Sequence, residues 1–143
     1  MKETRAYDRL AKIYAKAHWT RIETWTTPGV FDSNACWLGH EIWVECKQTR
    51  RPKTSRGLLH FKVQQGQPVW EAEHRQAGGK TYLALMVDSD LFVLSGKFIR
   101  SIKEPVAEAW LMENALVPDE NNRQDPYGLF TNEAKGAIGQ PRI

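Results

Sequence analysis

Three residues of the types that hydrolyse phosphodiester bonds stand close together in the sequence: Asp32, Glu45 and Lys47. Such hydrolysis requires a metal ion that neutralises the phosphate and lowers the pKa of the attacking water, and a cation that stabilises the transition state. Hard ions such as Mg²⁺ are bound by carboxylates, carbonyls and waters. Two converging carboxylates and a lysine are therefore the minimal protein contribution to this chemistry.

A predicted strand over residues 41–48 would place Glu45 and Lys47 on one face, since side chains alternate along a strand. Asp32 lies upstream, across a turn at 37–40, so an antiparallel neighbour would bring it beside Glu45. The backbone carbonyl of Cys46 would offer one further oxygen to a metal. The alternative is an ordinary ion pair within a strand. The apolar surroundings favour the functional interpretation, because buried charges are costly unless they pair or bind something.

The rest of the pattern predicts an α/β fold in which helices flank a mixed sheet. Helices are expected over 4–17, 68–77 and 105–116, and strands over 19–25, 41–48, 81–87 and 91–94, with a further short edge strand over 96–99. Residues 30–35 are expected to form a short strand or an extended segment. Beyond Val117 the composition changes to proline, glycine and asparagine. We expect a domain over 1–116, followed by a loosely ordered extension over 117–143 that docks through Tyr127, Leu129 and Phe130.

Length and composition indicate a single intracellular domain. The 143 residues fit one core, the first residues are charged rather than apolar, and no apolar run is long enough for a membrane helix. Cys36 and Cys46 are expected to be buried and reduced. The four histidines lack paired ligand spacing, so no zinc site is expected. These features predict a cytoplasmic protein that does not interact with membranes.

A basic segment follows the predicted site, with no acidic residue between Glu45 and Glu71. Such a block is typical of a phosphate-binding surface, and a solvated loop is the equally weighted alternative. The candidate DNA-binding residues in it are Arg50, Arg51, Lys53, Arg56 and Lys62.

Two sequence blocks resemble a known family. Residues 27–34 and 39–47 are similar to the G-x-P-D…WVE-x-K core of PD-(D/E)xK nucleases, in particular to the small stand-alone VRR-NUC group of bacteriophages, described as Holliday junction resolvase-like. Gln67-Pro68-Val69-Trp70, followed by Gly78-Gly79, resembles that group's Q-x-x-W…G segment. The resemblance covers roughly residues 20–95. Phe31 replaces the signature proline, and Cys46 replaces the more usual Val or Leu.

The resemblance implies a restriction-endonuclease-like sandwich with an αβββαβ core, and a role for each matching residue. Asp32 and Glu45 would bind Mg²⁺ or Mn²⁺, and Lys47 would activate the water or stabilise the transition state. Gln67 would support the site, with Gln64 and Gln65 as alternatives. Such nucleases often use another acid, for which Glu3 and Glu23 are the candidates.

The resemblance also implies a metal-dependent endonuclease that acts on branched DNA, in the host cytoplasm if it is phage-encoded. Symmetric cleavage of a junction would favour a homodimer, for which Trp110 and the tail aromatics could form the interface or equally the core. The alternatives are a nicking, flap-cutting or restriction-like nuclease and a non-catalytic nucleic-acid-binding phage protein. A zinc or redox protein has the least support.

Overall fold

The computed structural model describes residues 4–23, 29–54 and 57–131, with Thr4 described by its backbone alone. The elements in chain order are α1 (Thr4–Ile13), β1 (His18–Arg21), β2 (Ser33–Trp37), β3 (His40–Thr49), α2 (Gln67–Gln76), β4 (Thr81–Val87), β5 (Asp90–Ser95), a 3-10 helix (Gly96–Arg100) and α3 (Glu108–Asn114). The helices of the described part are too short or too polar to span a lipid bilayer.

The five strands form one mixed sheet in the order β1-β2-β3-β4-β5. The β3–β4 pair is parallel and the other three pairs are antiparallel. A parallel pair requires a crossover connection, and α2 lies within that connection. The predicted α/β fold, with a mixed sheet between helices, is confirmed.

Each face of the sheet carries its own apolar layer. On one face, Leu10 of α1 and Tyr14, which follows that helix, pack against Ile42, Val44 and Cys46 of β3. On the other face, side chains of β4 pack with the 3-10 helix, α3 and part of the basic segment, including the buried residues Leu83, Leu85, Ile99, Leu111 and Leu59. The alternation predicted for β3 is therefore correct, and Glu45 and Lys47 lie on the face opposite α1.

Several predicted bounds differ from the structure. The first helix ends at Ile13 rather than at residue 17, because Tyr14 starts a turn in which its carbonyl accepts from the Ala17 N–H and the Trp19 indole. The strand predicted over 30–35 begins only at Ser33, so Asp32 lies just before it. The strand predicted over 19–25 ends at Arg21, and residues 24–28 are outside the described residues.

The edge strand predicted over 96–99 is wrong, since these residues form the 3-10 helix. Gly96 packs against Thr81 of β4, where a Cβ on residue 96 would be 2.3 Å from the threonine hydroxyl oxygen. The chain therefore bends closely across β4 at this point. The helix predicted from residue 105 begins at Glu108 because Val106 instead exchanges two backbone hydrogen bonds with Leu59.

The chain after α3 packs onto α1 as far as Thr131. Leu129 and Phe130 are fully buried, and Tyr127 is partly buried against the same layer, which confirms the predicted docking. Asp125 holds this segment: its carboxylate accepts hydrogen bonds from the Tyr14 hydroxyl (2.6 Å) and from the backbone N–H groups of residues 129–131. A domain boundary at residue 116 stays a prediction, and residues 132–143 lie outside the described residues.

Candidate active site

Strand β3 carries two charged residues into the layer opposite α1. Glu45 is 3% exposed and Lys47 is 2% exposed, and the Lys47 ammonium lies 3.3 Å from Glu45 Oε2. Ionised groups in an apolar layer are costly unless they are paired and hydrogen-bonded. The pair therefore needs further partners, which come from two other parts of the chain.

Asp32, the residue just before β2, contacts this pair. Its backbone N–H donates to Glu45 Oε1 (3.0 Å), and its carboxylate accepts from the Cys46 N–H (3.3 and 3.4 Å). The hydroxyl of the buried Ser33 also donates to this carboxylate (2.9 Å). The structure thus brings Asp32 and Glu45 together at the point where β2 begins alongside β3.

Gln67 supplies another partner from the first residue of α2. Its side-chain Nε2 donates to Glu45 Oε2 at 2.7 Å, and its Oε1 accepts from the Gln64 N–H at 3.0 Å. Gln67 is 2% exposed, whereas Gln64 and Gln65 are exposed. Of the three candidate glutamines, Gln67 is therefore the one that contacts the acids.

A close contact between two glycines sets the start of α2 against the segment that leads to Asp32. Gly29 has φ +91°, and a Cβ on it would lie 2.3 Å from the Gly66 carbonyl oxygen. Gly66, with φ 93°, is the residue before α2. Only a residue without a side chain fits at position 29, so this contact holds Gln67 close to Glu45.

Burial and charge shift the acidity of the central carboxylate. Burial raises the pKa of Glu45 from 4.5 to about 7, and the nearby Asp32 charge also raises it. Lys47 and the Gln67 amide act in the opposite direction. A bound cation would favour the ionised form, so this pair of carboxylates is suited to a positive ligand.

The oxygens at this site match the preference of a hard divalent ion. The N–H and C=O of one strand residue leave the same edge of the strand, so the Cys46 carbonyl lies on the edge that faces Asp32. Two carboxylates and one carbonyl leave the remaining positions to water and phosphate, as Mg²⁺ usually requires. Within residues 4–23, 29–54 and 57–131 there is no group of three or more His, Cys, Asp or Glu placed to hold a metal ion.

Of the two candidates for an additional acid, only Glu23 lies within the described residues. Glu23 is exposed after β1 and makes no hydrogen bond or ion pair with a described residue, and Glu3 lies outside the described residues.

Cys36 and Cys46 are free thiols, and burial raises the pKa of Cys46 well above its usual range. A contribution of Cys46 to the site would therefore come from its backbone.

The predicted DNA-binding cations that the structure describes differ in their surroundings. Arg50, Lys53 and Lys62 are exposed, whereas Arg56 lies outside the described residues. Arg51 differs from the prediction, because its guanidinium contacts Glu108 (2.7 Å), Asp90 (2.8 Å) and Asp88 (3.3 Å). Three carboxylates neutralise the charge of Arg51, and these ion pairs hold the basic segment against the β4–β5 turn and α3. We therefore do not propose Arg51 as a phosphate ligand.

Sequence reasoning missed two supporting residues. Ser33 is adjacent to Asp32, but a serine beside an aspartate gives no signal by itself. Glu71 is fully buried one turn after Gln67, where it accepts from Thr81 Oγ1 (2.7 Å) and pairs with Arg75 (2.8 Å). These contacts hold α2 against β4. The polar residues at positions 67 and 71, one helical turn apart, are the sequence feature that could have indicated this role.

No protein-family model matches the sequence, and the comparison with curated proteins gives no match either. Among solved structures, the chain is similar to Hjc of Archaeoglobus fulgidus, a Holliday junction resolvase from an archaeal hyperthermophile. The TM-score is 0.52 at 14% sequence identity, over 78% of this chain and 93% of that chain. The chain has the fold of this resolvase. This shared fold underlies the meeting of Asp32, Glu45, Lys47 and Gln67.

Proposed function

We propose that the protein is a metal-dependent endodeoxyribonuclease that hydrolyses phosphodiester bonds, with Mg²⁺ or Mn²⁺ as its cofactor. The observation that carries the proposal is the contact of two acids and a lysine at one point of the sheet. The Asp32 N–H donates to Glu45, the Asp32 carboxylate accepts from the adjacent Cys46 N–H, and Lys47 lies 3.3 Å from Glu45. A purely structural pair would not require a second acid beside a buried carboxylate, because like charges disfavour each other.

Each residue has a distinct role in this proposal. Asp32, Glu45 and the Cys46 carbonyl would hold the cation, which when bound would neutralise phosphate charge and lower the pKa of a bound water. Lys47 orients the attacking water or stabilises the negative charge that develops on the phosphate. Gln67 keeps Glu45 in place through its amide, and Ser33 does the same for Asp32. The catalytic residues are therefore Asp32, Glu45 and Lys47.

The proposed substrate is branched DNA, contacted mainly through its backbone. The support is the fold shared with a Holliday junction resolvase, together with the exposed cations Arg50, Lys53 and Lys62. Phosphate contacts position DNA without reading its sequence, so selectivity would depend on DNA structure. Paired incisions in a junction would require a C2 homodimer. Membership of the bacteriophage VRR-NUC group, and with it a place in the host cytoplasm, stays a prediction.

The decisive experiment is cleavage of a labelled four-way junction beside a flap, a linear duplex and a single strand, with Mg²⁺, Mn²⁺ or EDTA. We expect metal-dependent cleavage with a preference for branched substrates, and symmetric cuts if the junction is resolved. Lys47→Ala should bind the junction and fail to cut it, and Lys103→Ala, an exposed lysine of the 3-10 helix region, should behave like the wild type. DNA binding by the wild type without cleavage under any metal condition would overturn the proposal.

A further inference from the structure

A cavity lies on the α1 face, at the end of the sheet where β2 turns into β3. Its volume is about 310 Å³, and its apolar walls include Ile13, Tyr14 and Trp37. This is the lower end of the roughly 300–1,000 Å³ that ligand sites occupy. Trp37 packs edge-on against Phe130 at a centroid distance of 5.7 Å, so its indole is held in a fixed orientation while remaining only half-buried.

Two cations border this cavity. Lys16 and Arg123 line it, both are exposed, and neither makes a hydrogen bond or ion pair with any residue that the structure describes. None of the residues that line the cavity is a carboxylate. The cavity thus combines an aromatic wall with unmatched positive charge, which is complementary to a ligand with a flat apolar part and an anionic part.

We propose that this cavity, which we call the Trp37 slot, binds an unpaired nucleotide of a single DNA strand. The base would stack on Trp37, as bases do on aromatic side chains in single-strand-binding proteins. Lys16 and Arg123 would contact the adjoining phosphates, as cations do along a nucleic acid backbone. A nucleotide is the ligand class that satisfies both the apolar and the cationic part of the slot.

The proposal rests on DNA being the substrate and extends the proposed function by naming the part of the substrate that is recognised. Trp37 ends the strand before which Asp32 lies, so the two residues are roughly 17 Å apart along the strand at about 3.4 Å per residue. The slot lies on the opposite face of the sheet from Glu45 and Lys47, so a strand bound there would pass around the sheet to the acids. A continuous duplex would meet the slot with its bases stacked and paired. A frayed or branched substrate can supply an unpaired strand there, so the slot would favour such substrates.

The test measures binding in EDTA of a short fluorescein-labelled oligothymidylate to the full chain. We expect Lys16→Gln with Arg123→Gln to weaken binding roughly five- to ten-fold, since two phosphate contacts are lost. Lys103→Gln removes one exposed cation outside the slot and should leave binding unchanged. Cross-linking with an oligonucleotide that contains 5-iodouracil should modify the peptide that contains Trp37.

Three results would overturn the proposal: wild-type affinity of the double variant, cross-links confined to other peptides, or a change in sedimentation of the double variant without a change in affinity. The last result would show that the slot holds a second copy of the chain. The same measurements are independent of catalysis. A protein that cuts DNA while the double variant binds normally contradicts the slot alone, and one that cross-links at Trp37 without ever cutting contradicts the nuclease alone.

Discussion

At the scale of single residues, the site depends on how many donors reach one buried carboxylate. Glu45 accepts from the Asp32 N–H, from Lys47 and from Gln67, at 3.0, 3.3 and 2.7 Å. A buried carboxylate with its partners in place is preorganised for a cation, whereas one that lacks a partner costs free energy and turns away. The contribution of Gln67 can therefore be separated from that of the acids.

Gln67→Ala should lower Mn²⁺ affinity and the cleavage rate about ten-fold, within the range for residues that orient metal ligands. The reason is that Glu45 would lose its shortest side-chain hydrogen bond. Mn²⁺ affinity can be measured by calorimetry or electron paramagnetic resonance. Gln65→Ala changes an exposed glutamine in the turn just before α2 and is the matched control. Equal Mn²⁺ affinities for wild type and Gln67→Ala would show that the amide has no role in metal binding.

The shifted pKa of Glu45 predicts a pH dependence of stability in EDTA. Between pH 4.5 and about 7 the folded protein keeps a proton on Glu45 that the unfolded chain has lost. The free energy of unfolding should therefore fall as pH rises through this window, by on the order of 3 kcal/mol. Thermal unfolding from pH 5 to 8 measures this effect, and Glu45→Gln should flatten the profile.

Mg²⁺ should counteract the fall in the free energy of unfolding at higher pH, because it binds the ionised carboxylate of Glu45. The increase in melting temperature with Mg²⁺ is therefore expected to grow from pH 5 to pH 8. A pH profile of wild-type stability in EDTA as flat as that of Glu45→Gln would contradict the raised pKa of Glu45.

At the scale of elements, the sequence was sufficient where a local pattern decided the outcome. The alternation in β3 predicted correctly that Glu45 and Lys47 share a face, and β4 was predicted with its observed bounds. The environment of Arg51 could not be predicted. Its partners Asp88, Asp90 and Glu108 come from distant turns and helices, and no local pattern indicates which arginine of a basic segment will be neutralised.

The contact of the β2 entry with α2 is the second feature that no local pattern revealed, and it can be tested by a pair of glycine substitutions. Gly29→Ala and Gly39→Ala both place a side chain at positive φ, +91° and +77°. Only at position 29 would the new Cβ meet backbone, 2.3 Å from the Gly66 carbonyl oxygen, whereas at position 39 nothing lies within 4 Å. Gly39→Ala should cost about 1 kcal/mol, from φ alone.

Gly29→Ala should cost more than Gly39→Ala and should also weaken Mn²⁺ binding, because α2 must move away from the Asp32 segment and carry Gln67 from Glu45. Denaturant unfolding measures the first effect and calorimetry the second. If the two variants lose equal stability and keep equal Mn²⁺ affinity, the glycine contact does not position the site.

At the scale of the whole molecule, the distribution of charge determines how DNA would be held. The net charge of +3 is small, so binding must depend on where cations are exposed rather than on their number. Arg50, Lys53 and Lys62 are exposed in the segment that follows β3, and Arg51 between them is bound to three carboxylates. Neighbouring residues of the same charge are thus expected to differ in function.

The salt dependence of junction binding distinguishes these residues. Each phosphate contact contributes about 0.9 to the slope of log K against log salt for duplex DNA, so Lys53→Ala should lower the slope by about that amount. Arg51→Ala should leave the slope unchanged and lower the melting temperature, because it unfastens the basic segment from the β4–β5 turn and α3. The measurement is junction affinity at several NaCl concentrations with Lys47→Ala as the common background, which prevents cleavage. A reduced slope for Arg51→Ala at unchanged melting temperature would mean that DNA displaces the three carboxylates, and that the ion pairs hold Arg51 only until the substrate arrives.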